Sequence, residues 1–258
     1  MLPLAAAIVL GTLALQPPAA PAPGGAIAAE AGPGAVRTPD LVRRVGGDRA
    51  IAISIEAGTY RCGRSSIESP LPDGYPEPTP PGAIDIKDYP AVRRAEWHSK
   101  GPTESGMNIA FWPLFNHIKR HDIPMTAPVE MAYDGVWPDP AASIAKNPLG
   151  TWSMSFLYRA PTVGQLGDDQ GVQVVDAPAV TVVSIGLRGS YGIELAERGV
   201  RELRDWDKAE ADWELAGPVR VLHYNGPAVR EAWKWSEVQV PVRKATPPAS
   251  DATGSGNR

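Results

Sequence analysis

The stretch FWPLFNHIKRHDIPMTAPVEM, residues 111–131, decides the fold. Its first half predicts a helix within 108–120, because apolar residues recur at three- and four-residue steps. These residues are Ile109, Phe111, Leu114, Phe115 and Ile118. Pro113 lacks a backbone N–H, so it marks either the first turn of this helix or a kink.

The second half of the stretch predicts a rigid entry into a strand. Pro124 and Pro128 bracket a segment with pre-set φ, and neither residue can donate to a sheet ladder. Thr126 and Ala127 are small enough to let the chain turn closely. A structural role is the first interpretation of this segment, with direct ligand contact as the alternative.

Outside this stretch, short segments of alternating polarity predict antiparallel strands. They are residues 50–56, 83–87, 91–97, 129–133, 152–158, 172–175, 179–187, 219–224 and 235–242. We expect 83–87 and 91–97 to form a strand pair hinged at 88–90. Residues 69–82 hold so many prolines that we predict an exposed loop.

A second helix is predicted at about 192–210, because its apolar residues form a single stripe. They are Ile193, Ala196, Val200, Leu203 and Trp206. Two separated helices among many strands, without regular β-α alternation, predict an α+β fold. Two half-domains of similar layout are conceivable.

Composition excludes several classes of function. The 258 residues are 43% hydrophobic and 21% charged, with a formal net charge of −4, so a globular core is expected without a basic face for nucleic acid. Cys62 is the only cysteine, which excludes an intramolecular disulfide and leaves either a buried small side chain or a free thiol. No motif for a catalytic nucleophile or a structural zinc site occurs.

The ends of the chain differ from its middle. Residues 2–15 form an apolar run of the length of a signal-peptide core, and Ala26-Ile27-Ala28 offers a cleavage site. We therefore expect a signal peptide at 1–28, a flexible segment at 29–49, a folded domain at 50–243 and a disordered tail at 244–258. The protein is expected in the periplasm or outside the cell, with an N-terminal membrane anchor as the alternative.

The stretch 111–131 resembles the signature of the SOUL haem-binding family. In that family a helix of the type F-x-x-L-F-x-[YH]-I leads into I-x-M-T-A-P-V-E, and residues 123–130 match the second half in full. Weaker echoes follow the family order at 89–95, 154–158, 221–227 and 235–240. The resemblance spans about 84–242 and leaves 30–80 without a counterpart.

The resemblance implies a twisted antiparallel sheet closing toward a barrel, with two flanking helices. It also implies an apolar groove near the first helix that binds haem or another tetrapyrrole. Candidate groove residues are Phe111, Trp112, Leu114, Phe115 and Met125, with Arg120 to bind a propionate. Arg93, Arg94, Lys119, Arg201 and Trp206 are further candidates by residue type.

His117 and His121 are the candidate ligands for the haem iron. Their spacing of four places both on one face of an unbroken helix. The alternatives are that both simply favour the negative end of the helix dipole, or that the iron has no strong protein ligand. His98 and His223 are weaker candidates.

Three functions follow from these observations. The first is an exported protein that captures, carries or buffers haem, with no catalytic residues. The alternatives are a haem-modifying or haem-degrading enzyme, and a module that binds a non-haem small ligand or another protein.

Overall fold

The computed structural model describes residues 41–99, 107–133 and 151–245. Within these ranges the chain forms two helices, α1 (Met107–Arg120) and α2 (Ile193–Ala209), and a 3-10 helix at Glu231–Trp233. The strands are β1 (Val42–Gly47), β2 (Ser54–Glu56), β3 (Thr59–Cys62), β4 (Ser65–Ile67), β5 (Ala83–Tyr89), β6 (Val92–Ser99), β7 (Val129–Tyr133), β8 (Trp152–Leu157), β9 (Gly167–Asp169), β10 (Val172–Ala177), β11 (Val180–Arg188), β12 (Trp213–Leu215), β13 (Val219–His223) and β14 (Trp235–Lys244).

Eleven strands form one large antiparallel sheet, and β2, β3 and β4 form a small one. The large sheet runs β1-β5-β11-β14-β13-β7-β8-β6-β10-β9, with β12 beside β14. The sheet has two similar halves that meet at the pair β13–β7. One half continues outward from β13 through β14, β11 and β5, and the other continues from β7 through β8, β6 and β10. The predicted α+β class, an antiparallel sheet with two helices, is confirmed.

The helices cover one face of the large sheet. Strand side chains alternate, so every second residue faces the helices and forms the main core. Leu114 of α1 and Leu203 of α2 are fully buried there, and Met131 at the centre of the sheet is buried between the two halves. The apolar stripe predicted for the second helix packs on this core as expected, with Ile193 and Trp206 at its partly buried edge.

The opposite face of the sheet, called the polar face below, combines buried polar and charged side chains with a second apolar cluster, and the proline-rich segment packs on part of it. The prediction that residues 69–82 form an exposed loop is wrong. Leu71, Tyr75 and Thr79 are buried, as are most of the prolines between them. Thr79 accepts a hydrogen bond of 2.8 Å from the indole of Trp235 through its carbonyl oxygen, and the backbone N–H of Ala127 donates to the carbonyl of Pro70.

Three local predictions need correction. The strands β5 and β6 do not pair as a hairpin, because β5 pairs with β1 and β11 whereas β6 pairs with β8 and β10. A strand at Val42–Gly47 lies inside the segment predicted to be flexible, so the ordered sheet begins before residue 50. Of the two alternatives given for Pro113, the first turn is excluded, because this residue lies within α1.

Other boundaries fall close to those predicted, and only Ser54–Glu56 of the predicted strand 50–56 is extended. The predicted signal peptide and tail lie outside the described residues. None of the described helices has the length and apolar character needed to cross a membrane.

Gly186 tests the contact between the proline-rich segment and the sheet. A Cβ at this position would lie 2.3 Å from the carbonyl oxygens of both Thr79 and Pro80. We expect Gly186→Ala to lower the free energy of unfolding by about 1–3 kcal/mol, because the added methyl overpacks this contact. Urea denaturation measures the change. Gly226→Ala is the matched control, since a Cβ there meets nothing within 4 Å, and equal effects of the two variants would contradict the close contact.

Candidate functional site

Aromatic side chains of α1 form an exposed apolar surface. Phe111 stacks on Phe115 with ring centroids 5.7 Å apart, and Trp112 lies edge-on to both rings. Trp112 is 59% exposed and Ile109, one turn earlier, is 58% exposed. Phe111 also contacts Phe156 of β8, which anchors the cluster to the core. We call Ile109, Phe111, Trp112 and Phe115 the aromatic surface.

Two predicted groove residues lie differently. Leu114 is fully buried in the main core and does not belong to the aromatic surface. Met125, five residues beyond α1, is 39% exposed. The rest of the Met-Thr-Ala-Pro segment is structural, because the Thr126 hydroxyl donates to the carbonyl of Leu157 at 2.6 Å and Ala127 is buried.

The two predicted histidine ligands meet an aspartate from a distant strand. The Oδ2 atom of Asp169 lies 2.6 Å from Nδ1 of His117 and 3.0 Å from Nε2 of His121. Arg120 donates to the same oxygen at 2.6 Å. On its other side, Nε2 of His117 lies 2.7 Å from the Tyr158 hydroxyl. We call His117, His121 and Asp169 the histidine–aspartate cluster.

Hydrogen bonds and burial determine the protonation states of Asp169 and of the neighbouring Tyr158. The pKa of the Asp169 carboxyl lies well below its usual value, chiefly because Arg120 and then His117 donate hydrogen bonds to it. Burial, with a smaller contribution from Asp169, raises the pKa of Tyr158 to about 12. At neutral pH the aspartate is therefore a carboxylate and the tyrosine is a neutral phenol.

The aromatic surface and the cluster lie on different sides of α1. Phe115 and His117 are two residues apart, which turns their side chains by about 200° around the helix axis. Phe115 contacts the other aromatic rings, whereas His117 is buried toward Tyr158 and Asp169. The predicted iron ligands and the predicted ring-binding residues are thus not brought together.

The remaining candidates have other partners. Arg93 pairs with Asp176, and the exposed His98 lies 2.9 Å from Glu96. His223 is buried beside Tyr191 and Ser236, and burial lowers its pKa to about 3, which keeps it neutral. Lys119 and Arg201 are exposed on the two helices.

The polar face of the sheet contains a buried charge network. The ammonium of Lys87 lies 3.0 Å from the carboxylate of Glu237, and both side chains are fully buried. Ser184 and Tyr224 donate further hydrogen bonds to that carboxylate, as does the backbone N–H of Thr79. Burial alone would raise the pKa of Glu237, but Lys87, Ser184 and Tyr224 hold it below its usual value.

A second ion-pair chain continues across the same face. Glu130 of β7 binds Arg94 on one side and Arg220 on the other, at 2.6 and 3.2 Å. Arg94 also pairs with Glu96. Among the described residues, Glu130 and Glu237 thus have their counter-charges within the chain, whereas Nη2 of Arg220 and Oδ2 of Asp85 are buried without a hydrogen-bond partner.

Asp169 and the polar network are functional features that the sequence did not predict. Asp168 and Asp169 end β9, the first strand of a tight hairpin whose turn residues Gln170 and Gly171 have positive φ. Nothing local connects this hairpin to α1, which lies about fifty residues earlier. The charged residues at alternate positions of β5 and β6, together with Glu237 and Gln239 of β14, were the available signal for the polar face.

Glu237→Gln tests the buried ion pair. We expect the free energy of unfolding to fall by about 3–5 kcal/mol at pH 7, because Lys87 is left buried without a counter-charge. The pKa of Glu237 is lowered in the fold, so its stabilisation is present above the unfolded pKa and is lost as pH falls through the folded pKa. The difference in the free energy of unfolding between wild type and Glu237→Gln should therefore become smaller at acid pH.

Urea denaturation at several pH values measures both effects. Glu202→Gln, on the exposed face of α2, is the control and should stay within about 0.5 kcal/mol of the wild type. A loss below about 1 kcal/mol for Glu237→Gln would show that the pair is not structurally required.

Comparison with solved structures supports the same fold. The C-terminal domain of EcmrR matches with a TM-score of 0.51 and 17% identity, over 63% of this chain and 98% of that domain. EcmrR in its DNA complex matches equally well at 16% identity, with 57% of that chain covered. An uncharacterized conserved protein from Listeria innocua follows at 13% identity and a TM-score of 0.49, over 64% of this chain and 94% of that one.

The two EcmrR matches, each with a TM-score of 0.51, show that this chain has the α+β fold of the EcmrR C-terminal domain. More than a third of this chain lies outside the match to the EcmrR domain. No protein-family model matches the sequence, and no curated protein matches it. Membership of the SOUL family therefore stays a prediction.

Proposed function

We propose that this domain binds a small, flat, apolar ligand on the aromatic surface of α1. The observation that carries this proposal is the exposure of Trp112 and Ile109, at 59% and 58%, on a helix whose other face is fully buried. Exposed clusters of large apolar side chains on a folded domain mark binding sites more often than isolated exposed residues do. Stacked aromatic rings suit a planar ligand.

The resemblance to the SOUL family supports a tetrapyrrole as this ligand. The Phe111 and Phe115 rings are nearly parallel, 13° apart, and Trp112 extends the apolar area. A macrocycle resting here is held by ring contacts rather than by histidine ligation, because His117 and His121 lie on another side of α1 and contact Asp169. Export of the protein, and a role as a carrier, belong to the same proposal.

The polar face is the less suitable site. Its carboxylates are paired with Lys87, Arg94 and Arg220, and residues 69–82 pack over Glu237, Ser184 and Trp235. A ligand there would have to displace a buried segment and break ion pairs. The non-haem alternative, a different small apolar molecule, would use the aromatic surface in the same way.

Titration with haemin, metal-free protoporphyrin IX and the bulky cation tetraphenylphosphonium tests the proposal. We expect one porphyrin site with similar affinity for haemin and protoporphyrin, since the iron has no protein ligand, and weaker binding of the non-planar cation. Trp112→Ala should weaken porphyrin binding about tenfold or more, because a ring contact and its buried area are removed.

Ile55→Ala is the matched control, since Ile55 is an exposed apolar residue, 49% accessible, on β2. His121→Ala should leave the haemin affinity unchanged. The proposal fails if Trp112→Ala and Ile55→Ala bind porphyrin alike. Decay of the haemin Soret band with a reductant and oxygen would instead favour the enzyme alternative.

A further inference from the structure

We propose that His117, His121 and Asp169 bind a divalent transition-metal ion. Each residue offers one ligand atom, and these three atoms lie within 4.8 Å of one another. His117 lies in the last turn of α1, His121 directly follows this helix, and Asp169 ends β9. The fold therefore brings the three residues together. This site is independent of the ligand proposed for the aromatic surface.

The donor set suits a borderline metal ion. Two imidazoles and one carboxylate bind Zn²⁺, Co²⁺, Ni²⁺ or Fe²⁺, and they leave coordination positions for water. Both histidine nitrogens point at one oxygen of Asp169, at 2.6 and 3.0 Å. Donor atoms around such an ion stand roughly 3–4 Å apart at bond lengths near 2.1 Å, so a small outward shift of the carboxylate opens the site.

The surroundings of His117 match those of a metal ligand. A ligating imidazole is held by a hydrogen bond to its second ring nitrogen. Here the Tyr158 hydroxyl lies 2.7 Å from Nε2 and leaves Nδ1 facing Asp169. His117 is buried, which fixes the ring, whereas the side chain of His121 is 50% exposed and gives an ion access from solvent.

Arg120 is a competitor for the same carboxylate. Its guanidinium donates to Oδ2 of Asp169 at 2.6 Å, so the observed contacts neutralise the aspartate with a side chain. The Arg120 side chain is 38% exposed and can turn outward when an ion enters. Replacing Arg120 by a neutral residue should therefore strengthen metal binding. No such effect is expected if the salt bridge between Arg120 and Asp169 has only a structural role.

Isothermal titration of the whole chain with Zn²⁺, with a competing chelator, tests the proposal. We expect one Zn²⁺ per chain, and the absorption spectrum of the Co²⁺ form should show d–d bands from nitrogen ligands. His121→Ala and Asp169→Asn should each weaken binding at least about tenfold, whereas Arg120→Gln should strengthen it about fivefold, the scale of an exposed ion pair.

Matched controls keep the test specific. His98→Ala removes another exposed histidine beside a carboxylate, and Asp168→Asn removes the aspartate adjacent to Asp169, so both should retain wild-type affinity. Circular dichroism verifies that each variant is folded. The proposal is overturned if neither wild type nor Arg120→Gln takes up one Zn²⁺, or if uptake survives both His121→Ala and Asp169→Asn.

Discussion

The ion pair between Lys87 and Glu237, closed off by residues 69–82, is the constraint on which the rest of this structure depends. A sheet usually buries two apolar faces or leaves one face in water, but here the second face is charged and still covered. Proline makes that possible because it has no N–H. A proline-rich segment can cover charged groups while burying few backbone donors of its own.

Several of the donors that remain in this segment have partners. Thr79 donates its N–H to Glu237, and Gly82 donates to the carbonyl of Gly186. The segment therefore completes the coordination of the buried carboxylate rather than merely shielding it. Glu237 and Lys87 lose water but gain fixed partners, which is the condition under which a buried pair is tolerated.

The covered polar face is the reason why we place the proposed ligand on the other side of the molecule. On this side of the sheet most apolar side chains are buried in the main core. The apolar residues of α1 extend around more of the helix than contacts the sheet, so Trp112 and Ile109 remain exposed. The same helix turns His117 and His121 toward β9. One short helix thus presents two chemically different surfaces, the apolar one on which we propose a ring system and the polar one on which we propose an ion.

Much of the fold could be predicted because it depends on local periodicity. The helices and β7, β8, β11 and β14 follow from the spacing of apolar residues and lie within a few positions of the prediction. The pairing of β5 was not predictable locally, because its partner β11 comes much later in the chain, after α1 and the strands β6 to β10. Proline content signalled a lack of regular structure in 69–82 but carries no information about burial. The partners of His117 were missed for a similar reason, since Asp169 approaches it only through the tertiary fold.

Hydrogen–deuterium exchange with and without protoporphyrin IX tests the central claim most directly. The closed polar face predicts slow amide exchange for Thr79 and Gly82 in both states, with new protection confined to α1 around Trp112. Faster exchange across residues 69–82 when the porphyrin binds would contradict the account, because it would mean that the ligand enters by displacing the segment that covers the polar face.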